Sequence, residues 1–390
     1  MSSKKIIDII KLRFAELWAV FQLLLAWIFS LYLLKKDIWL ICERGTDARD
    51  NGFWFYKYLM NEHPEINAYY IISKDSPDRD KLCKLGFKLI RYQSFKHLIY
   101  LVKAKYLIST HKNGYSPWPY PFIFRKKYML GNKRTISLRH GIGIHYTPQL
   151  IKEDANFSLI ISGSKIEYQY ILDNYGYTHD EVKYTGLCRF DNLRDFKTKK
   201  VVLIMPTWRR YLNKNNICES NYYHTFIKFL NNKRLKDISA QYGYQFIFYP
   251  HHELQPYLPE FAKNVNNKDI IIASKYKYDV QELLKTSAIL ITDYSSVFFD
   301  FAYMNKPVLY YQFDEKEYHS EHYQKGYFDY HNGFGPCLSN EDELINELIR
   351  ILDNNCKVDK LYSNRIATHF AYNDDNNCKR VFEAIINLNK

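Results

Sequence analysis

The chain has 390 residues, with 55 Lys and Arg against 42 Asp and Glu, a formal net charge of +13. At about 150 residues per domain the length favours two domains, each able to bury a core, and 25% charged with 47% hydrophobic residues excludes a disordered or collagenous chain and a polytopic membrane protein. The 7 Cys include no C-x-x-C pair and no His cluster at zinc spacing accompanies them, which argues against disulfides or structural zinc and for a reducing compartment.

The first element is an apolar helix. Phe14 to Leu34 reads FAELWAVFQLLLAWIFSLYLL, with one charge at Glu16, Lys11 and Arg13 before it and Lys35 and Lys36 after it. The run is long enough to span a bilayer. On a helical wheel Asp8, Lys11, Ala15, Ala19, Gln22, Ala26 and Ser30 form a small or polar stripe, with Trp18, Phe21, Leu24, Leu25, Ile28 and Leu31 off it, which fits an interfacial helix equally well. Membrane attachment is expected in either geometry; a buried core helix is the bland alternative. No small-residue cleavage site follows, so a removed signal peptide is not expected.

After Lys36 short β-rich runs alternate with amphipathic stretches, the pattern of a parallel sheet covered by helices. Strands are expected at Ile38–Cys42, Ala68–Ser73, Phe87–Arg91, Tyr106–Ser109, Arg134–Leu138 and Leu159–Ser162, with helices at Asn51–Met60, Pro77–Leu85 and Lys165–Tyr175, the last stopped by Gly176. Asp78 and Asp80 form a D-x-D pair, but at an expected helix start the dipole explains them without a metal. The loop LRHGIGIHYT places His140 just past a strand end, beside Gly141 and Gly143, with His145 as a second candidate. An imidazole whose ordinary pKa lies near 6.5 suits a general base, and the glycines let a ligand approach the backbone.

The polar stretch RDFKTKK, Arg194 to Lys200, marks a domain boundary, so the expected division is 1–36 as a membrane-associating helix, then 37–198, then 199–390. Strands of the second half are expected at Val201–Met205, Gln245–Tyr249, Ile270–Ala273, Ala288–Thr292 and Val308–Tyr311. Three of their ends carry anion-binding groups: Thr207, Arg209 and Arg210 after the first, His251 and His252 after the second, and Thr292, Asp293, Tyr294, Ser295 and Ser296 where the fourth turns into a helix. A helix beginning beyond a strand's carboxyl end offers N–H groups and hydroxyls to a diphosphate. Simple capping of that helix would need only one such residue.

At these residues the chain resembles the CDP-glycerol glycerophosphotransferases, the teichoic acid primases and polymerases. The likeness runs from about Cys42 to Tyr330 and includes His140-Gly141, Pro206 to Arg209, Pro250-His251 and the run ILITDYSSVFFDFAYMNKPVLYY continuing through Asp314, Tyr318 and Gly326 to Tyr327. It departs at His251-His252-Glu253, where one His followed by Pro is the pattern, and at Arg139, where a tryptophan-like residue is usual. The resemblance implies an α/β GT-B fold, two Rossmann-like domains facing a cleft, on the cytoplasmic face of the cell membrane. It implies transfer of glycerol phosphate or a related polyol phosphate from CDP-glycerol to a hydroxyl of a lipid-linked glycan or polymer, in teichoic acid or capsule synthesis. By the same likeness His140 is the general base, His251 assists at the leaving group, and Gly141, Thr207, Arg209, His252 and Thr292 to Ser296 contact the donor. Asp50, Asn51 and His145 fall to the acceptor side. Long N-terminal helical repeats of some polymerases are absent, which favours a primase or a short capsule-type enzyme. No cofactor is required; Mg²⁺ could neutralise the diphosphate, with no ligand set legible. The expected partners are a CDP-polyol, a lipid-linked acceptor and an anionic membrane surface, and not nucleic acid. The rival readings are a GT-B glycosyltransferase using a nucleotide sugar and an inert membrane-bound module that binds anionic polymer.

Overall fold

The computed structural model describes residues 3–34, 36–117, 133–194, 196–321 and 326–388, with the side chains of 3–12 outside the description; Lys35 and the side chains of Asp8 and Lys11 therefore lie beyond it. The chain divides into two compact units, the first of 1–141, 147–191 and 374–390 and the second of 142–146 and 192–373.

The first unit is built on a seven-stranded sheet of β1 (Ile38–Cys42), β2 (Ala68–Ile72), β3 (Leu89–Arg91), β4 (Ala104–Ser109), β5 (Arg134–Ser137), β6 (Leu159–Ser162) and β7 (Val182–Tyr184), in the order β3-β2-β1-β4-β5-β6-β7. Every pairing is parallel. Parallel strands are covered by helices on both faces, which is why β1 and β2 are buried throughout and read as unbroken apolar runs. Trp39, Ile41, Phe55, Tyr56 and Tyr70 form the core on one face. β7 was not among the expected strands, because only Val182 of its three residues is fully buried and no apolar run announces it.

Two parts of the expected division are corrected here. The last helix, Asn377–Asn387, does not belong with 199–390: its Val381 and Ile385 complete the core of the first unit, and Asp191 accepts the N–H groups of Asn377 and Cys378 at 2.8 Å. An amphipathic helix declares that it needs a core, not which core. The N-terminal helix, Ser3–Ser30, is likewise part of the first unit rather than a separate segment. Its small stripe packs inward against the helix Phe95–Lys103, with Ala19 and Ala26 buried and Phe29 edge-on to Phe95 at 5.5 Å. Phe14, Leu17, Trp18, Phe21, Leu24 and Trp27 face outward and are exposed.

The second unit carries a six-stranded sheet of β8 (Val201–Met205), β9 (Gln245–Phe248), β10 (Ile270–Ile272), β11 (Ile289–Thr292), β12 (Val308–Tyr311) and β13 (Cys337–Leu338), in the order β10-β9-β8-β11-β12-β13. All of its pairings are parallel. Each sheet reverses its strand order once, between β1 and β4 in the first unit and between β8 and β11 in the second. Ligands of open α/β sheets bind outside the carboxyl ends of the strands at such reversals. The segment Ile142–Tyr146 packs in the second unit, where a Cβ at Gly326 would collide with the Ile144 carbonyl.

His369 is buried against Phe299, Phe334 and Phe370, its Nε2 without a partner. Burial lowers its pKa from 6.5 to about 4. The folded state holds it neutral, so its contribution is whole above pH 6.5 and is lost as the pH falls through about 4. At pH 4 the loss comes to about 3 kcal/mol. The melting temperature of the wild type should fall across this window, and His369→Phe should flatten the fall. It should not abolish it, since buried His97, also lowered to about 4, titrates in the same range. Superimposable pH profiles for the two proteins would refute the assignment.

Candidate active site

In the first unit the loop after β1 is held from within by Glu43. This buried carboxylate accepts the N–H groups of Arg49 at 2.9 Å, Asp50 at 2.6 Å and Phe53 at 3.2 Å. Asp78 grips the same loop through Ala48 N and the Arg49 guanidinium, a structural role that accounts for half of the D-x-D pair. So fixed, Asp50 accepts from His140 Nδ1 at 3.0 Å and from Arg189 Nη1 at 2.9 Å. The same Arg189 nitrogen donates to the His140 carbonyl at 3.0 Å. Burial by itself would raise Asp50, but the Arg189 charge and the His140 bond outweigh it and hold the carboxyl at about 2. Glu43 moves the other way, raised to about 8 by burial and by the charges of Asp50 and Asp47.

The His140 side chain is 60% exposed, with its ring centroid 4.7 Å from that of His111 at the end of β4. Imidazole, carboxylate and guanidinium thus gather at the ends of β1, β4, β5 and β7, around the strand-order reversal. Gly141 follows His140 half-buried. Arg139, before it, adopts a left-handed φ of 59° and pairs with buried Glu167 at 3.3 Å. Asn51 does not fit its expected role as an acceptor contact. It is fully buried, and its amide spans the Arg139 carbonyl and the Arg189 N–H, each at 2.9 Å. Asp50 is also taken up, as the group that orients His140. Arg189, His111 and Glu43 were missed as site residues. Arg189 escaped notice because the strand preceding it did, and because its neighbours Leu187, Cys188 and Phe190 are apolar.

The second unit corrects several donor contacts. Arg209 is fully buried and bonds Asp314 through Nε at 2.7 Å, Asp293 through Nη2 at 2.8 Å and the Thr207 carbonyl through Nη1 at 2.8 Å. The rings of Tyr222, Tyr294 and Tyr318 box the guanidinium at 4.9 to 5.1 Å, and Tyr294 stacks on Tyr318 at 3.7 Å. Such a group binds the protein and not a ligand. Asp293 joins strand ends by accepting Thr207 N at 2.8 Å and Tyr294 N at 2.6 Å, while the Thr292 hydroxyl donates to the Met205 carbonyl at 2.7 Å. Thr292, Asp293, Tyr294 and Arg209 therefore build the floor of the site.

What lies above the floor matches the expectation better. Ser295 and Ser296 are half-buried in the turn before the helix Phe298–Tyr303, and the Thr207 hydroxyl is buried with no partner. His251 is half-buried; its N–H donates to the Pro206 carbonyl at 3.1 Å and its Nδ1 accepts from Glu253 N at 3.4 Å. His252 is exposed and pairs with Glu253 at 3.1 Å. Between the two histidines, His251 is the one tied to the strand end. His145 meets the Tyr318 hydroxyl at 3.1 Å, in the second unit and not among the groups around Asp50.

Residues 23–387 match the family described as CDP-glycerol:poly(glycerophosphate) glycerophosphotransferase. The chain belongs to this family. The minor teichoic acid biosynthesis protein GgaB of Bacillus subtilis (strain 168) is 34% identical over 372 residues, covering 91% of this chain and 40% of GgaB. The teichoic acid glycerol-phosphate primase of the same strain is 31% identical over 202 residues, 50% of this chain and 45% of the primase. The chain thus spans about half or less of the length of these relatives. Among solved structures, the wall teichoic acid polymerase TagF is similar with a TM-score of 0.65 at 17% identity, covering 91% of this chain and 89% of that one. The S. aureus MnaA-UDP co-structure follows at 0.56 and 15%, covering 91% and 98%. These likenesses show the fold, GT-B as expected.

The buried Arg209 yields a prediction. Removing one partner of a buried ion pair costs about 3–5 kcal/mol, because the remaining charges lose their compensation. Arg209→Met should therefore lower the urea midpoint strongly, whereas a ligand contact could be replaced with little change in stability. An unaltered midpoint would refute the structural role.

Proposed function

We propose that this protein transfers glycerol phosphate, or a related polyol phosphate, from a CDP-polyol to a hydroxyl of a lipid-linked or polymeric glycan acceptor and releases CMP. The observation that carries the reading is the Asp50–His140 pair at a strand-order reversal in a chain of this family. With Nδ1 bonded to Asp50, Nε2 is the nitrogen placed to take a proton, and Asp50 stabilises the imidazolium that results. The acceptor oxygen attacks the β-phosphorus and the bond from that phosphorus to the bridging oxygen breaks. CMP departs with the electron pair, and the acceptor proton goes to His140. Ser295, Ser296, Thr207 and His251 serve the diphosphate and the leaving group. Phosphoryl transfer asks mainly for positioning and charge neutralisation, and no covalent enzyme intermediate is needed.

Attachment to the cytoplasmic face of the membrane is the second part of the proposal. The N-terminal helix is apolar enough by length and composition, over Arg13–Ser30, to enter a bilayer. Because its small stripe is occupied by the helix Phe95–Lys103, the exposed Trp18, Phe21, Leu24 and Trp27 are the side free for lipid, and the net charge of +13 favours an anionic leaflet. The protein should float with anionic vesicles, and replacing Leu24 and Trp27 with Ser should release it; flotation of both proteins alike would refute this surface.

Incubation with CDP-glycerol, CDP-ribitol and UDP-sugars, with and without EDTA, tests the chemistry. CMP release is expected, and release of UDP instead would overturn the reading. His140→Ala should abolish turnover and leave CDP-glycerol binding largely intact. Asp50→Asn should slow turnover by about 10²-fold or more. A near-normal rate for His140→Ala would remove His140 as the base.

A further inference from the structure

The loop that follows β7 faces two ways. Within it the five-residue turn Cys188–Asn192 carries both Arg189 and Asp191. Arg189 is only 5% exposed. Its guanidinium bridges Asp50 and the His140 carbonyl, and its N–H donates to Asn51, whose amide also holds the Arg139 carbonyl. Together these contacts fix the left-handed bend at Arg139 and the imidazole that follows it.

The other side of the same loop is bound to the helix Asn377–Asn387. Asp191 accepts from Asn377 N at 2.8 Å, Asn377 Nδ2 at 2.7 Å and Cys378 N at 2.8 Å. Arg380, itself clamped by Asp374 at 2.9 and 2.8 Å, donates from Nε to the Thr185 carbonyl at 2.8 Å, and Cys378 Sγ donates to the Cys188 carbonyl at 3.5 Å. Gly186, at a φ of 79°, lets the helix approach so closely that a Cβ there would run into the Asn377 side chain. Stability of the helix end alone asks for less. The residue in the cap position, Asn376, makes no side-chain cap bond, and the acceptor comes instead from a carboxylate 186 positions before Asn377.

Apolar Leu187, Cys188, Phe190 and Leu193 bury this turn, but burial is non-directional: it sets depth and leaves rotation about the turn open. Directed hydrogen bonds on both sides close that freedom. The demand for it is chemical, since a misplacement of about 1 Å at a reacting group costs about 10²-fold in rate.

We propose that Asp191 is a positioning residue: it locks the turn Cys188–Asn192 onto the first turn of the helix Asn377–Asn387, and so holds Arg189 against Asp50 and His140. The inference rests on the reading of His140 as the base and adds a support that lies, along the chain, beyond residues 192–373 of the second unit.

Release of CMP by the full chain from CDP-glycerol or CDP-ribitol tests this, with donor affinity measured by calorimetry. Asp191→Ala should lower kcat about tenfold or more. The donor KM and Kd should be unchanged, since Thr207, His251, Ser295 and Ser296 lie in the second unit. Arg189→Met should cost about 10²-fold. In that background Asp191→Ala should cost nothing further, because its effect passes through Arg189, whereas a loss of stability alone would appear in both backgrounds. If Asp191→Ala fails to fold, Asp191→Asn, which keeps one acceptor oxygen, carries the same comparison. A folded variant with a wild-type kcat, or a loss undiminished in the Arg189→Met background, would overturn the proposal. A near-normal rate for His140→Ala would remove the base and the role of Asp191 with it, whereas an inactive His140→Ala beside a fully active Asp191→Ala would sink that role alone. A wild type that released CMP from neither donor would take the donor reading and this role down together.

Discussion

An aspartate joined to an arginine from another strand end anchors the polar loops of each unit. In the first unit Asp50, after β1, meets Arg189, after β7; in the second, Asp293, after β11, meets Arg209, after β8. The constraint behind both is the parallel sheet. Its faces are sealed by helices, so polar groups gather where the strands end, and their charges must be paired as they leave water. The pairs differ in what they leave exposed. Asp50 keeps one oxygen for His140, whereas the Arg209 cluster, closed by Asp314 and three tyrosine rings, leaves nothing for a ligand and instead supports the groups above it.

This difference explains how a short list of polar residues can be correct in place and mistaken in role. Arg209 follows a buried strand in a family motif, and a guanidinium there is a natural diphosphate contact by chemistry alone. Two carboxylates, from residues 84 and 105 positions away, claim it first. Asn51 was similarly claimed by backbone groups 88 and 138 positions away. Asp50 changed from an acceptor contact to the partner that orients His140, which ties it more closely to the chemistry proposed for that imidazole.

The N-terminal helix shows the same interplay of pattern and packing. Its wheel contains a narrow stripe of small residues and a broad apolar face, and hydrophobicity alone would bury the broad face. The structure buries the stripe instead, since small side chains allow close approach to the helix Phe95–Lys103, and leaves the large residues outward. An outward face of Trp, Phe and Leu on a basic protein is the physical basis for proposing a lipid surface as its partner.

The sequence by itself determined the fold class, most strand positions and the loops that hold the polar groups, because apolar runs bounded by polar turns are local facts. Gly176 stopping the helix Lys165–Tyr175 in a left-handed conformation is one such fact, read correctly from a single residue. Tertiary structure decided the rest. Burial of polar side chains, the home of the helix Asn377–Asn387 and the pairing of Asp50 with Arg189 all depend on contacts between residues far apart in the chain. Local periodicity states that a helix must find a core or a charge a partner; only the packed chain supplies the one that is there.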